Sequence, residues 1–286
     1  MQSIETDILY DAIRDSAQQD SNISLKMVDR LANNNAKDIH QLRVNCKRLR
    51  AYWRFIRPLL KNSEIFIVHN NHLREAARLL SQSREAHVNR KLLRNFMAQC
   101  NEKRLRDVIA KMLHMLPLPT EQQLLPVGQL HACFIDERTF WEAFTNDQIK
   151  SGICETDGLV KTFNKAEKLA NRTLQNDFEP TIAHEWRKWS KYFYYQLQAL
   201  STKQKLVLKK KVLANLDQFN DDLGKLHDFY VLENLVVQAQ KKQQIDGAVD
   251  VLRLITGSRH QLEQLLKKMQ KKIYQKSFNE LVCRAS

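Results

Sequence analysis

The feature that most constrains this chain is its scarcity of helix breakers: 286 residues contain only 6 glycines and 5 prolines. In a helix interior glycine costs about 1 kcal/mol and proline about 3 kcal/mol relative to alanine, so a chain this poor in both can sustain long helices. Apolar residues recur at helical spacing, beginning with Ile4, Ile8, Leu9, Ala12 and Ile13. The pattern predicts helices over 4–18, 24–32, 37–57, 64–82, 84–100 and 102–114. It resumes over 136–147, 157–177, 180–200, 204–224, 227–243 and 246–278. In between, Pro117, Pro119, Pro126 and Gly128 mark a connecting loop over 116–135. The expectation is an all-α fold: one domain over 1–286, with a first helical half at 1–115 and a second at 136–286.

The two halves share a pattern. The segment from His40, HQLRVNCKRLRAYWRFI, and the segment from His184, HEWRKWSKYFYYQLQAL, both begin His-x-x-Arg-x-x-x-Lys. Further along, Leu79 to Glu85 followed by Val88 matches Asp222 to Asp228 followed by Val231, at nearly the same offset. A two-site match in constant register predicts internal duplication, with two similar four-helix bundles packed together.

Charge gives the second constraint. Lys and Arg total 46 against 32 Asp and Glu, a formal net charge of +14. Such an excess carries self-repulsion and points to an anionic partner: nucleic acid, a membrane surface or a free polyanion. On the helix after His40, Leu42, Cys46, Leu49, Trp53, Ile56 and Leu60 form a core stripe. Beside it His40, Arg43, Lys47, Arg50, Arg54 and Arg57 recur at spacings of 3, 4, 3, 4 and 3, while Arg48 lies elsewhere, as plain surface. From Ile39 to Lys61 there are seven Lys/Arg residues and no acid. Helices ordinarily interleave acids at i±4 to relieve such repulsion, so an external anion is the expected counter-charge; a solvated basic face is the plain alternative.

The second repeat is more aromatic. Trp186, Phe193, Leu197 and Leu200 form its apolar stripe, and His184, Arg187, Lys188, Lys191 and Tyr195 share its polar side. Tyr195 either donates its hydroxyl to an oxyanion or caps the core. Arg84-Glu85 and His227-Asp228 each set a basic side chain beside a carboxylate, so Glu85 and Asp228 either orient neighbouring cations or form helix-terminal charge pairs. Arg74 and Arg78, at i and i+4, either face the basic stripe or lie on ordinary surface. His69 and His72 read as surface residues, a weak metal pair at most, with no third ligand.

At these residues the chain resembles the CHAD family, helical domains named for their histidines. His40-x-x-Arg43-x-x-x-Lys47-Arg48-x-Arg50 is similar to that family's first signature, and His184-x-x-Arg187-Lys188-x-x-Lys191 with Tyr195 to the second. Leu223-Gly224-Lys225-Leu226-His227-Asp228 resembles the segment that follows the second signature, and Arg84-Glu85 its first-half equivalent. Tyr192 and Tyr194 stand where the family often has basic residues, and Ser83 where it commonly has Gly. The resemblance covers nearly the whole chain. It implies two four-helix bundles related by a pseudo-twofold axis, with a central basic surface that binds inorganic polyphosphate, and residence on polyphosphate granules. No triphosphate-tunnel segment accompanies it, so a stand-alone form is expected.

A phosphate chain offers one charge per residue and many acceptors without bases, which suits Lys and Arg converging from several helices. On this reading His40 and His184 add donors below about pH 6.5. No nucleic-acid module is recognisable, which leaves that partner the less favoured one, beside a protein-interaction scaffold. No phosphate loop, placed nucleophile or carboxylate cluster for Mg²⁺ is evident, so neither catalysis nor a cofactor is expected. Five cysteines without a CxxC pair and no apolar run near membrane length predict a cytoplasmic protein with idle thiols. The basic C-terminal helix, with Lys267, Lys268, Lys271 and Lys272, packs on the second half or touches a membrane surface.

Overall fold

The computed structural model describes residues 9–31, 36–82, 85–116, 125–152, 154, 156–203, 206–208, 211–243, 245–274 and 282–284. Five helices come first: α1 (Leu9–Val28), α2 (Ala36–Ile56), α3 (Glu64–Gln82), α4 (Glu85–Gln99) and α5 (Lys103–Met115). Five follow: α6 (Val127–Ala143), α7 (Asp157–Gln175), α8 (Pro180–Thr202), α9 (Val212–Gln243) and α10 (Ala248–Tyr274). The fold is all-α apart from a short antiparallel ribbon of β1 (Leu206–Leu208) and β2 (Val282–Arg284). No helix among the described residues is long and apolar enough to cross a membrane.

Helix α2 is central, with α1, α3, α7 and α8 packed around it. Its core stripe is as the spacing predicts: Leu42, Cys46, Leu49, Trp53, Ile56 and Leu60 are all buried. Two contacts fix its rotation. Gly158 of α7 sits directly on the α2 backbone, where an added Cβ would fall 1.8 Å from the Phe55 carbonyl oxygen. From α8, Gln196 Nε2 donates to the Ala51 carbonyl at 2.7 Å. With the core stripe held this way, the neighbouring basic stripe lies along the seams with α3 and α8. Thus α2 and α8, which carry the two matching segments, pack on one another.

The entry to α8 is built locally. Asp177 and Phe178 adopt φ of 46° and 57°, a left-handed pair that reverses the chain after α7. The buried Tyr230 hydroxyl donates to the Phe178 carbonyl at 2.5 Å and holds that turn. Glu179 then caps α8, accepting from the Thr181 and Ile182 amides at 3.1 and 2.9 Å, with Pro180 in the first turn, where its missing N–H costs nothing.

Apolar side chains gather in a main core and a second one. The main core draws on α1–α3 and α6–α10 around Trp53, Trp141, Trp186 and Phe219. The second joins α4 and α5 to α9 and α10 through Phe96, Ile109, Met112, Val236, Val251 and Ile255. Both cores therefore mix residues from before and after the 116–135 stretch.

Four expectations about elements need correction. The helices expected at 4–18 and 24–32 are one helix over the described part, because its inward polar residues Asp20 and Ser24 are hydrogen-bonded to Tyr52 and Asn45 at 3.0 and 2.9 Å. The loop expected over 116–135 ends early: Pro126 is the N-cap of α6, and Leu130, Cys133, Phe134 and Trp141 bury its inner face, while 117–124 lie outside the described residues. The break expected near 224–227 is absent, since Leu216, Phe219, Leu223, Leu226 and Tyr230 keep one buried stripe running through Gly224. Residues 206–208, expected in a helix, form β1.

Candidate polyanion-binding site

The basic stripe of α2 divides into two sectors. In the first, Arg43 donates to Ser81 Oγ and to the Leu80 carbonyl at 3.4 Å, both on α3. Lys47, one turn on, is partly buried and lies near enough to Arg187 and Lys191 of α8 to feel their charge. Burial, then repulsion from Arg187, Arg43 and Lys191, pushes its amine down to about 8. Arg187 is itself shifted down by burial, with Asp228, Tyr195 and Asp221 pulling the other way. Its guanidinium lies over Gly224 of α9, 3.8 Å from where a Cβ would be, and its buried Nε has no hydrogen-bond partner among the described residues. Lys191 sits 3.9 Å from Asp221.

His184 and His227 border this sector, their rings 5.1 Å apart. Burial, followed by Arg187, lowers both, His227 to about 4. In the free protein the His184 imidazole stays neutral further into acid than about pH 6.5, because burial first, and then Arg187 and Lys188, disfavour its charged form. A cleft of about 480 Å³, lined by Pro180, Ile182, Tyr230 and Asn234, opens beside the pair.

The second sector is cationic and aromatic. Arg50 Nε and Arg54 Nη1 both donate to Asn70 Oδ1 of α3, at 3.2 and 3.0 Å. The Arg54 guanidinium stacks 4.2 Å from the Tyr192 ring centre and lies 5.4 Å from that of Trp189. Burial lowers it to about 10. Arg57 lies 4.6 Å from the Phe66 ring centre.

Other candidates take different places. His40, at the start of the stripe, is exposed. Tyr195 is buried against Ala51 and Tyr192, and burial raises its hydroxyl to about 12. Asp228 is the carboxylate that most favours the charged form of Arg187. Lys188 pairs with Glu185, and Arg78 with Glu75, both within their own helices. Arg74 shares the stripe of α3 that carries Asn70 and Ser81, and is exposed. Arg84 and the side chain of Glu85 lie outside the described residues.

Two surface readings are corrected. Arg48 pairs with the buried Asp20 at 3.1 Å and with Tyr52, tying α2 to α1. His69 is also largely buried: its Nδ1 lies 2.8 Å from Glu137 Oε1, and its ring stacks on Trp53 at 4.5 Å. The fully buried Glu137 also accepts from the indoles of Trp53 and Trp141, at 2.8 and 3.1 Å. His72 remains exposed, 3.8 Å from Asp136. Among the described residues no three His, Cys, Asp or Glu side chains could together hold a metal ion.

Sequence reasoning passed over Asn70, Ser81 and Asp221. Asp221, Gly224 and Asp228 share one face of α9 at i, i+3 and i+7, a signal present in the sequence. The ring platform of Tyr192 and Trp189 under Arg54 had no such signal, because it crosses between helices.

The family model for the CHAD domain matches residues 25–237, an interval that contains α2, α3, α8 and nearly all of α9. The chain belongs to the CHAD family. This CHAD chain is also similar in structure to PptA from Streptomyces chartreusis, with a TM-score of 0.61 at 12% identity, covering 93% of this chain and 99% of that one. At that identity the likeness speaks for the fold alone. Among curated proteins none matches this CHAD chain by sequence.

Proposed function

We propose that the surface formed by α2, α8 and α9 binds inorganic polyphosphate, and that it does so without catalysis. The observation that carries this reading is the partly buried cluster of Arg43, Lys47, Arg187 and Lys191, in which burial and then the neighbouring cations depress Lys47, and one buried guanidinium N–H of Arg187 has no hydrogen-bond partner among the described residues. A fold keeps such mutual repulsion when a bound anion relieves it. CHAD domains as a family are linked to polyphosphate binding. Asp228 then orients Arg187, and the Arg50–Arg54–Arg57 sector extends the track along the chain of phosphates. Association with polyphosphate granules follows from the same affinity.

Nucleic acid fits less well. Single-strand surfaces offer aromatic faces to bases, whereas here the Tyr192 ring already stacks with Arg54. The test is competition at physiological salt. Polyphosphate should displace DNA and RNA at equal phosphate concentration, and should be recovered unhydrolysed. Changing Arg43, Lys47, Arg50 and Arg54 to Gln should weaken binding and flatten its salt dependence. The same change at Lys267, Lys268, Lys271 and Lys272 removes equal charge and should do much less. Equal loss in both variants, or preferential retention of nucleic acid, overturns the reading.

A further inference from the structure

Helix α10 lies wholly beyond residue 237, where the CHAD match ends. One of its faces is covered: Val251, Ile255, Leu266 and Ile273 are buried. The opposite face carries a pattern of its own. Leu254, Gln261, Leu265, Lys268 and Lys272 recur at spacings of 7, 4, 3 and 4. They therefore stand within about 60° of one another around the helix. Leu254 and Leu265 on this line are 39% and 46% exposed. They are large aliphatic side chains set about 16 Å apart along the axis.

The charge on this face has one sign. After Asp250 the only acid in α10 is Glu263, which is buried and bound by Arg259. Asp250 itself pairs with Arg253 at 3.1 Å and with Arg104 of α5 at 3.7 Å. Lys268, Lys271 and Lys272 are exposed, and among the described residues no carboxylate pairs with them. Between α5 and the first half of α10 runs a groove of about 580 Å³, lined by Leu105, Leu254, Gly257, Ser258 and Gln261 and by Arg104 and Arg253. A Cβ at Gly257 would meet nothing within 4 Å, so the groove is open there.

We propose that this face receives an acidic amphipathic helix of a protein partner. That helix lies along α10 with one apolar side chain in the groove at Gly257, a second against Leu265, and carboxylates on Arg253, Lys268 and Lys272. The groove decides the class of partner. A lipid surface is flat and leaves a concavity beside the helix unfilled. Polyphosphate and nucleic-acid backbones bring charge but no aliphatic side chain to cover Leu254 and Leu265. An amphipathic helix brings both, and its own 11-residue recurrence matches the spacing of the two leucines. Partner binding here and polyphosphate binding at the Lys47–Arg187 cluster use different residues.

The experiment uses the full chain and a dye-labelled synthetic helix of about five turns, with leucines at i, i+4 and i+11 and glutamates on the flanking positions. Fluorescence anisotropy at physiological salt compares it with a scrambled peptide of the same composition. The patterned peptide should bind at least about tenfold tighter than the scramble. Gly257→Leu fills the groove without changing the charge and should weaken binding about tenfold or more. Leu265→Gln, at an exposed position, should weaken it as well, while the Gln variant of Arg43, Lys47, Arg50 and Arg54 should bind as wild type does. Folding is checked by circular dichroism; should Gly257→Leu misfold, Leu265→Gln decides. Equal affinity for the two peptides means attraction to charge alone and overturns the proposal, as does unchanged affinity in the folded groove variant. Phosphatidylserine vesicles that bind this face and displace the patterned peptide, with affinity unaffected by Gly257→Leu, assign the face to lipid and overturn it too.

Discussion

Replacing Lys47 by methionine should make the ligand-free protein more stable. The substitution keeps an unbranched side chain of similar volume and removes a charge repelled by Arg187, Arg43 and Lys191. A fall from the ordinary 10.5 to about 8 corresponds to about 3 kcal/mol of burial and repulsion carried by the folded state while the amine is charged. Relaxation of the long side chain toward solvent returns part of this, so the expected gain near pH 7 is about 1–3 kcal/mol. The sign can be followed with pH. Below about 8 the amine is charged in both folded and unfolded chains, and the wild type bears the full penalty. As pH rises from about 8 toward 10.5 the folded chain sheds the proton first, and the wild type catches up with the variant. Urea denaturation followed by circular dichroism at about pH 7 and about pH 9.5 measures both differences. Adding polyphosphate should invert the order, because ligand stabilises the chain that binds it. A Lys47→Met variant no more stable than wild type near pH 7 would refute the claim that these cations strain the free protein.

Two further outcomes are expected. His227, lowered to about 4, and His184, lowered in the same direction, should cost stability as pH falls from 6.5 toward 4, since the unfolded chain takes up those protons first; a His227→Gln variant should lose less over that window in the same urea titration. Gly158→Ala should destabilise by about 2 kcal/mol or more, because its methyl group meets the Phe55 carbonyl at 1.8 Å and α7 must move off α2; a thermal melt that matches wild type would remove α7 as the clamp on α2.

What could be read in the sequence was whatever lies along one helix. The core and basic stripes of α2 follow from residue spacing alone, and all six predicted core positions from Leu42 to Leu60 are buried. Helix ends were less legible where a residue type has two uses. Pro126 reads as a breaker and serves as a cap, and Gly224 reads as a break but lies inside α9 against Arg187. Contacts between distant segments left no local trace. Nothing in its own segment sets Glu137 apart from other acids, yet it is buried because Trp53, Trp141 and His69 give it three partners. The ribbon pairs Val207 with Cys283, and no pattern within either segment announces the other. At the candidate site the basic residues were legible as a set; their division into a Lys47–Arg187 cluster and an Arg54–Tyr192 stack depends on how α2 crosses α8.

The second core has a consequence for synthesis. Its α4 and α5 side, with Phe96, Ile109 and Met112, is completed by Val236, Val251 and Ile255 of α9 and α10. Almost a hundred residues separate Met115 from Val212, where α9 begins. At roughly 5–20 residues per second, translation leaves that apolar flank without its covering for about 5–20 s. A nascent chain of this protein therefore leaves the ribosome with an adhesive two-helix face well before its partner helices exist. Ribosome-bound chaperones should meet it over α4 and α5 and let go as α9 emerges.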